Sequence, residues 1–264
     1  ILMAHGKISE KLFDVFVYFL GNKRAGIPCA VIITCLFYGA ISGSAPATVA
    51  AVGSMTIPLL IELGYEKDFS TAIVAVAGGL GVIIPPSIPF IMYAMATGES
   101  VSDLFLAGIV PGMMISALLI FYAYYYCRRH GEDREKIQAK MDQLKTKGFV
   151  NILKVKQIWG IMVEAMKTYA PILFILATST AFSRVLTLMQ VPQDVSAWIM
   201  THFSNEIVLL LVINVVLLIV GMVMDTTPAI LILSPILLPI VEHVGMNPIH
   251  FGVMVIVNLS LIHI

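Results

Sequence analysis

Ile41-Ser-Gly-Ser-Ala-Pro-Ala-Thr48 is the stretch that decides how this 264-residue chain folds. It interrupts residues 25–61, an interval without charges. The interval is too long for one membrane helix of about 20 residues and too short for two full crossings. Because glycine destabilises a helix and proline removes a backbone donor, the interval has to break at this stretch. We expect a full span from about residue 26 to 40, then a shorter broken piece through Pro58.

The composition of the whole chain places it in lipid. Hydrophobic residues make up 59% of the chain and charged residues 12%, about half of the roughly 25% that soluble domains carry. The mean hydropathy is +0.94. Sixteen basic and sixteen acidic residues leave no net charge, so no basic excess indicates nucleic-acid binding. These values predict an all-α integral membrane protein that crosses the bilayer several times.

Two further apolar intervals contain breaks of the same kind. Residues 69–98 carry Pro85, Pro86 and Ser87 in succession, and residues 207–241 are interrupted by Gly221 and by Asp225-Thr-Thr-Pro228. Broken backbone leaves polar groups unpaired in lipid, so it persists only where protein or a water-filled cavity surrounds it. We therefore expect the three breaks to line an internal polar cavity.

The halves of the chain resemble each other in register. Gly43-Ser-Ala-Pro-Ala47 is followed by Pro58 and Gly64, and Asp225-Thr-Thr-Pro-Ala229 is followed by Pro239 and Gly245. The spacing from the Pro-Ala pair to Pro58 is twelve residues in the first half, and the spacing to Pro239 is eleven in the second. Apolar segments interrupted by glycine and proline at corresponding positions of two halves indicate the binding site of a transporter.

This pattern predicts two repeats joined by a loop. Residues 1–127 form the first repeat, with a scaffold helix, a re-entrant hairpin at about 41–64, a broken helix at about 70–97 and a helix at about 104–127. Residues 128–156 hold nine of the sixteen basic residues, which predicts a cytoplasmic loop. Residues 157–264 form an incomplete second repeat, with helices at about 158–190 and 207–224, a hairpin at about 225–245 and a truncated last helix.

The breaks carry oxygen-bearing side chains. The first has the hydroxyls of Ser42, Ser44 and Thr48, the second has Ser87, and the third has Asp225, Thr226 and Thr227. Hard oxygen ligands suit a small cation such as Na⁺, and the amino ends of half-helices suit an anionic substrate. Together they predict a transporter that couples a cation to a small organic anion.

Each of these side chains also has a structural role open to it. An ionised residue in the middle of a membrane costs several kcal/mol, so Asp225 is a functional candidate, although it could equally cap the helix that starts near Pro228. Serine and threonine hydroxyls in membrane helices also bond to carbonyls of their own helix and aid close packing. For the hydroxyls, the packing and ligand interpretations both remain open.

Several motifs resemble one known family, the large permease subunit of tripartite ATP-independent periplasmic (TRAP) transporters, also called the DctM-like family. They are Ile41-Ser-Gly-Ser-Ala-Pro-Ala-Thr48, Gly81-Val-Ile-Ile-Pro-Pro-Ser-Ile88, Leu104-Phe-Leu-Ala-Gly-Ile-Val-Pro-Gly112, Asp225-Thr-Thr-Pro-Ala-Ile-Leu-Ile-Leu-Ser-Pro235 and Gly245-Met-Asn-Pro-Ile-His-Phe251.

The resemblance implies the ion-transporter superfamily architecture, with inverted repeats, re-entrant hairpins and a transport domain that moves like an elevator. It implies sodium-coupled import of C4-dicarboxylates, sialic acids or other organic acids across the bacterial inner membrane. The implied partners are a small membrane subunit and a periplasmic substrate-binding protein. No cofactor is implied beyond Na⁺ as the coupling ion.

Carried over residue by residue, the resemblance assigns roles to all three breaks. The first hairpin would hold sodium through Ser42, Gly43 and Ser44. The unwound helix beside it would be lined by Pro85, Pro86 and Ser87. The second hairpin would open with Gly221, Asp225 and Thr226, and Asp225 and Thr226 would also serve as sodium ligands.

The chain departs from the family pattern in ways that predict a fragment or an internally shortened protein. It starts without the family's first helices and ends before a Thr-Pro-Pro segment that would mirror Pro85-Pro-Ser87. The basic loop also runs almost directly into Trp159 and Ala170-Pro171, without the Pro-Thr-Glu-Ala-type segment that opens the family's second half.

Other classes fit the sequence less well. A single-component dicarboxylate carrier of the same superfamily is the nearest alternative. An intramembrane aspartyl hydrolase needs two carboxylates that share a proton, and only Asp225 lies within an apolar interval. A serine hydrolase needs a base, and Ser42 and Ser44 have no evident histidine partner. A purely structural membrane subunit would leave the broken helices unexplained.

Overall fold

The computed structural model describes residues 8–139 and 206–262, with isolated positions between 174 and 198. The ordered elements of these ranges are all helical, which confirms the all-α class. The principal helices are α1 (Ile8–Leu20), α2 (Gly26–Ser42), α3 (Ala45–Glu62), α4 (Lys67–Ile83), α5 (Ile88–Thr97), α6 (Val101–His130), α7 (Glu206–Val223), α8 (Thr226–His243) and α9 (Pro248–Ile262).

Several of these helices have the length and apolar character of membrane spans. Within the described ranges α3, α6 and α8 each qualify alone, and α4 and α5 qualify together as one broken span. The expected helices after the basic loop, at about 158–190, lie largely outside the described residues, as does the loop beyond residue 139. The loop also starts later than expected, because α6 continues through Arg128 and Arg129 to His130.

The chain divides into two compact units that cut across the two sequence halves. Unit 1 comprises Ile1–Ile84 and Gly112–Thr168, and unit 2 comprises Pro85–Pro111 and Tyr169–Ile264. In unit 1, α2 packs against α1, α3 and α4, and α3 packs against α4. In unit 2, α8 packs against α5, α7 and α9, so the half-helix α5 packs against helices of the second half.

Two glycines bring α2 and α4 into backbone contact in unit 1. A Cβ atom added to Gly81 would lie 2.6 Å from the Cα of Gly39 and 3.0 Å from the Thr48 hydroxyl oxygen. Small residues allow membrane helices to approach this closely. These glycines therefore act in packing and do not break the helix: Gly78, Gly79 and Gly81 all lie within the continuous α4.

The first break lies where the sequence predicted it, but the segment that follows is longer than expected. Gly43 ends α2 in the left-handed region, with φ of 63°, and Ser44 is extended before α3 starts. Instead of a short broken piece, α3 is a continuous helix of 18 residues. Pro46 falls in its first turn, where the backbone N–H would lack a helical partner in any case. Pro58 is accommodated inside the helix.

The second break lies where the sequence predicted it, and the third is narrower than the sequence suggested. Residues 84–87 separate α4 from α5. Only Met224 and Asp225 separate α7 from α8. Gly221 does not interrupt the chain as expected, because it is buried within α7, and Pro228 lies in the first turn of α8. A proline so near the start of a helix leaves the hydrogen-bond ladder largely intact.

The backbone shows the register of the two helix pairs α2–α3 and α7–α8, whereas each range predicted as a hairpin, about 41–64 and 225–245, is mostly one continuous helix. Both α3 and α8 have 18 residues. Equivalent backbone hydrogen bonds recur at a constant offset of 181 positions: Gly43 to Gly39 and Met224 to Val220, Thr48 to Ser44 and Ala229 to Asp225, Tyr65 to Leu60 and Met246 to Val241, Ser70 to Glu66 and Phe251 to Asn247. Pro46 thus corresponds to Thr227, one position away from the Pro228 that the sequence comparison used.

The glycine contact generates a prediction about stability. We expect Gly81→Ala to destabilise the protein by about 1–3 kcal/mol, the usual penalty for overpacking, because the added methyl meets the backbone of α2. Thermal unfolding of the purified protein in detergent measures this change. Ala72→Val is the matched control, since it adds volume to an exposed position of the same helix. Equal melting temperatures for Gly81→Ala and the wild type would contradict the packing role.

Candidate functional site

The first break gathers four oxygen atoms at the junction of α2 and α3. The Ser42 hydroxyl lies 2.9 Å from the Thr48 hydroxyl, 3.3 Å from the Ser44 carbonyl oxygen and 3.4 Å from the Gly39 carbonyl oxygen. The Thr48 hydroxyl donates to the Ser44 carbonyl at 2.8 Å. Of the predicted residues, Ser42, Ser44 and Thr48 therefore do form one cluster, with Gly43 as its turn.

Backbone conformation creates this cluster. The left-handed Gly43 donates its N–H to the Gly39 carbonyl at 2.7 Å and turns the chain so that Thr48, one turn into α3, faces the end of α2. Thr48 is fully buried and Ser42 is half-buried. The carbonyl end of α2 and the amide end of α3 thus meet at one place. The carbonyl end carries a partial negative charge and the amide end a partial positive charge.

Ser44 contributes differently from the sequence expectation. It was predicted to offer its hydroxyl, yet the hydrogen bonds at the break use its backbone: the carbonyl accepts from Ser42 and Thr48, and its N–H faces the Ser42 hydroxyl at 3.4 Å. Ser44 occupies the N-cap position of α3, and its side chain makes no capping hydrogen bond. Its hydroxyl is therefore not committed to the start of α3.

The second break presents Ser87 as a helix cap in unit 2. Ser87 is fully buried, and its hydroxyl accepts from the N–H of Phe90 at 3.4 Å, which caps α5. Pro85 is half-buried and Pro86 is exposed. Ser87 therefore has the structural role of an N-cap at the start of α5.

The third break places Asp225 at the start of α8, also in unit 2. Asp225 occupies the N-cap position, but its side chain makes no capping hydrogen bond and is exposed. Thr226 is buried and Thr227 half-buried in the first turn. The carboxylate of Asp225 therefore lies at the positive end of a helix dipole without being committed to a cap, which leaves its oxygens available to a ligand.

The openings at the α2–α3 and α7–α8 junctions differ in side-chain chemistry although their backbone hydrogen bonds recur. At the offset of 181 positions, Ser42 corresponds to Val223 and Thr48 to Ala229, while Ser44 corresponds to Asp225. The hydroxyl pair of the first opening therefore has no counterpart in the second. The second opening instead offers one carboxylate and the hydroxyls of Thr226 and Thr227.

Sequence reasoning missed two features of these units. Gly39 supplies a carbonyl oxygen to the first cluster, and the close contact of Gly39 with Gly81 holds it there. In unit 2, the Asn258 amide donates to the Asn214 side-chain oxygen at 2.6 Å and joins α7 to α9. A polar residue in an apolar helix signals such an interhelical bond, but its partner is not evident from sequence.

The described residues contain no group of three or more histidine, cysteine, aspartate or glutamate side chains that could hold a metal ion. The oxygens at the first break come instead from hydroxyl and backbone groups. Such neutral oxygen ligands suit an ion of low charge that has to be released again, whereas a resident transition metal prefers imidazole or thiolate.

A comparison with known proteins matches both parts of the chain to a single family. The model of the tripartite ATP-independent periplasmic transporter, DctM component, matches residues 1–153 and residues 147–264. This chain belongs to the DctM family. The resemblance inferred from the motifs is thereby confirmed, and the family is one of transporter components of bacterial membranes rather than of enzymes.

Three curated relatives in this family are identical to the chain at about a third of the aligned positions. An isethionate TRAP transporter permease protein DctMQ of Oleidesulfovibrio alaskensis is 36% identical over 302 residues, covering 99% of this chain and 48% of the relative. A C4-dicarboxylate TRAP transporter large permease protein DctM of Pseudomonas aeruginosa is 32% identical, covering 98% and 70%. The 2,3-diketo-L-gulonate TRAP transporter large permease protein YiaN of Escherichia coli is 30% identical, covering 98% and 71%.

The DctM relatives are longer than this chain. It spans about half of the first relative, and about 70% of the other two. The first alignment runs over 302 residues although this chain has 264, so the relative carries residues inside the aligned range that this chain lacks. The two matched parts meet at residues 147–153, the end of the basic loop. The expectation of a shortened chain is therefore confirmed.

The hydroxyl pair at the first break generates a prediction that needs no transport assay. A double-mutant cycle of Ser42→Ala and Thr48→Val should give a coupling energy of about 0.5–1.5 kcal/mol, because the single changes remove the same 2.9 Å contact. Chemical unfolding in mild detergent measures it. Ser42→Ala paired with Thr56→Val is the control, since the Thr56 hydroxyl bonds to Val52 of its own helix. Strictly additive effects of Ser42→Ala and Thr48→Val would contradict the contact.

Proposed function

We propose that this chain is the ion- and substrate-translocating part of a TRAP large permease subunit, and that it imports a small organic acid together with Na⁺. The observation that carries the proposal is the oxygen cluster at the Gly43–Ser44 break. Four oxygens from Gly39, Ser42, Ser44 and Thr48 lie together where two helix ends meet.

Sodium fits this cluster for physical reasons. A small hard cation binds oxygen ligands, and unwound backbone between half-helices supplies carbonyl oxygens for it. The carbonyl end of α2 adds a partial negative charge. All the ligands named here are neutral, which keeps binding weak enough for the ion to be released on the other side.

A second ion or the substrate would be held at the start of α8. Asp225 is the acidic residue of this opening and the counterpart of Ser44, and it is free of capping bonds. Its carboxylate, with the hydroxyls of Thr226 and Thr227, can ligate a cation. The first-turn amides of α5 and α8 can donate hydrogen bonds to a carboxylate, sulfonate or other anionic group, as helix amino ends do. Pro85, Pro86 and Gly221 would shape the surrounding backbone.

The substrate class is a small organic anion of the C4-dicarboxylate or sialic-acid type. The relatives are named for isethionate, C4-dicarboxylates and 2,3-diketo-L-gulonate. These compounds differ in their headgroup but share small size and negative charge. A site built from helix amino ends recognises charge more than detailed shape, which accommodates such a range.

The proposed assembly follows from membership in a tripartite family. A periplasmic substrate-binding protein would deliver the anion, and a small membrane subunit would accompany this chain in the inner membrane. Arg128 and Arg129 lie in the last turn of α6 and begin the basic segment 128–156. By the positive-inside rule, this segment faces the cytoplasm.

Reconstitution into proteoliposomes tests the proposed function. The large permease subunit, together with its small membrane subunit and binding protein, should take up labelled succinate or labelled sialic acid only when an inward sodium gradient is present. Replacing sodium with choline should abolish uptake. Equal uptake in sodium and choline would refute sodium coupling.

Variants of the oxygen cluster test the ion site within the same assay. Ser42→Ala and Thr48→Val should each raise the sodium concentration for half-maximal uptake by about tenfold, the factor that corresponds to one lost ligand of about 1.4 kcal/mol. Asp225→Asn should do the same if its charge holds the ion. Ser54→Ala is the control, because this exposed hydroxyl on α3 lies far along the helix from the break. Unchanged sodium dependence in all three variants would contradict the site.

A further inference from the structure

A buried carboxylate closes the end of unit 1 that lies opposite the candidate ion site. Glu132 follows the last residues of α6, and its side chain is 3% exposed. Its Oε1 atom accepts from the backbone N–H of Ala25 at 3.0 Å and from the Tyr65 hydroxyl at 2.7 Å. One carboxylate thus joins three separate segments of the chain.

The two donors belong to the far ends of the helices that form the site. Ala25 is the N-cap residue of α2, in the left-handed region with φ of 58°, and its own side chain provides no cap. Tyr65 lies in the turn after α3, next to Gly64. Because α2 ends and α3 starts at the Gly43–Ser44 break, Glu132 links the opposite ends of both helices, about 25 Å from the oxygen cluster.

The chemistry of this contact suits a carboxylate acceptor. A buried carboxyl group has to be hydrogen-bonded, and here one donor is the amino end of α2, where the helix dipole presents a partial positive charge. The second donor, the Tyr65 hydroxyl, keeps its proton, because burial and the hydrogen bond to Glu132 raise its pKa. The carboxylate therefore has both a polar environment and two directed bonds.

Neighbouring residues hold the Glu132 segment against the same two turns. The Arg134 guanidinium donates to the Asn22 carbonyl at 2.9 Å, in the turn between α1 and α2. Ile137 is buried in the hydrophobic core that includes Leu60 and Tyr65. By contrast, Asp133 is exposed and bonds within its own segment, to Lys136. Glu132 is thus the acidic residue of this segment that reaches α2 and the turn after α3.

We propose that Glu132 is a positioning residue of the candidate ion site, which fixes the far ends of α2 and α3 so that Ser42 and Thr48 stay together at their near ends. The contact of Gly39 with Gly81 lies within one turn of Ser42, and in this proposal it is the pivot of α2. If the far ends separate, α2 tilts about this pivot and draws the Ser42 hydroxyl away from Thr48. The consequence for transport rests on the proposed function, whereas the mechanical link does not.

Hydrogen exchange on the full chain in detergent tests the mechanical link. Tyr65→Phe removes one hydroxyl and Glu132→Ala removes the acceptor. Both should speed amide exchange by about tenfold in peptides that cover residues 42–48 as well as in those that cover residues 22–26 and 63–66, since one bond to a charged group contributes about that factor. Asp133→Asn is the matched control, because it neutralises the adjacent exposed carboxylate and should leave residues 42–48 unchanged.

Two results would overturn the proposal. One is faster exchange at residues 22–26 and 63–66 with wild-type exchange at 42–48, which would make Glu132 a purely local contact. The other is an equal effect of Asp133→Asn, which would make negative charge in general the cause. If Glu132→Ala fails to fold, Tyr65→Phe decides the question alone, because it removes a single oxygen.

Sodium titration separates this proposal from the proposed function. Sodium should slow exchange at residues 42–48 in the wild type, and Tyr65→Phe should need about tenfold more sodium for the same protection while its saturated uptake rate stays unchanged. If the wild type shows neither sodium protection nor sodium-dependent uptake, the proposed function fails. The comparison of variants without sodium then still tests the positioning role.

Discussion

A helix that ends inside a bilayer leaves its last carbonyls, and the first amides of the next helix, without water as a hydrogen-bond partner. The protein itself therefore has to supply partners for these backbone groups at each break. At the first break, Gly43 returns its N–H to Gly39, and the Ser42 and Thr48 hydroxyls supply donors to nearby carbonyls. Polar atoms that satisfy one another in this way can also satisfy an ion. The structural requirement and the proposed ion site are therefore met by the same atoms.

Backbone approach makes this arrangement possible. Because Gly39 and Gly81 have no side chains, the backbones of α2 and α4 are in contact next to Thr48. The oxygen cluster is therefore flanked on one side by the backbone of α4. At the other end of the same helices, Glu132 holds Ala25 and Tyr65. Unit 1 thus has the oxygen cluster of the first break at one end and the hydrogen bonds of Glu132 at the other, with apolar packing between them.

The segments α2–α3 and α7–α8 show how one hydrogen-bond pattern can support different chemistry. Their backbone hydrogen bonds repeat at a constant offset, although Gly43 is in the left-handed region and its counterpart Met224 is not. The side chains at equivalent positions differ: Thr48 is matched by Ala229, and Ser44 by Asp225. A site of neutral oxygens and a site with a carboxylate differ in charge, and therefore in which ion or substrate group each favours.

Much of the architecture was accessible from sequence because glycine, proline and charge act locally. The lack of charges over residues 25–61 and the Ser-Gly-Ser-Ala-Pro stretch predicted the break at Gly43, and the paired prolines predicted the break before Ser87. The length of α3 was not predicted, because whether Pro58 breaks a helix depends on packing around it. Gly221 was misjudged for the same reason: a glycine packed within α7 costs little.

The sequence by itself determined that this chain lies in a membrane, where its helices break and to which family it belongs, since composition and local backbone preferences carry that information. Only the tertiary structure decided which atoms meet. The contact of Gly39 with Gly81 joins residues that are distant in the chain, and the hydrogen bonds of Glu132 reach Ala25 and Tyr65 across more than sixty positions. Such contacts depend on how helices pack, and packing is a property of surfaces that assemble only when the chain folds.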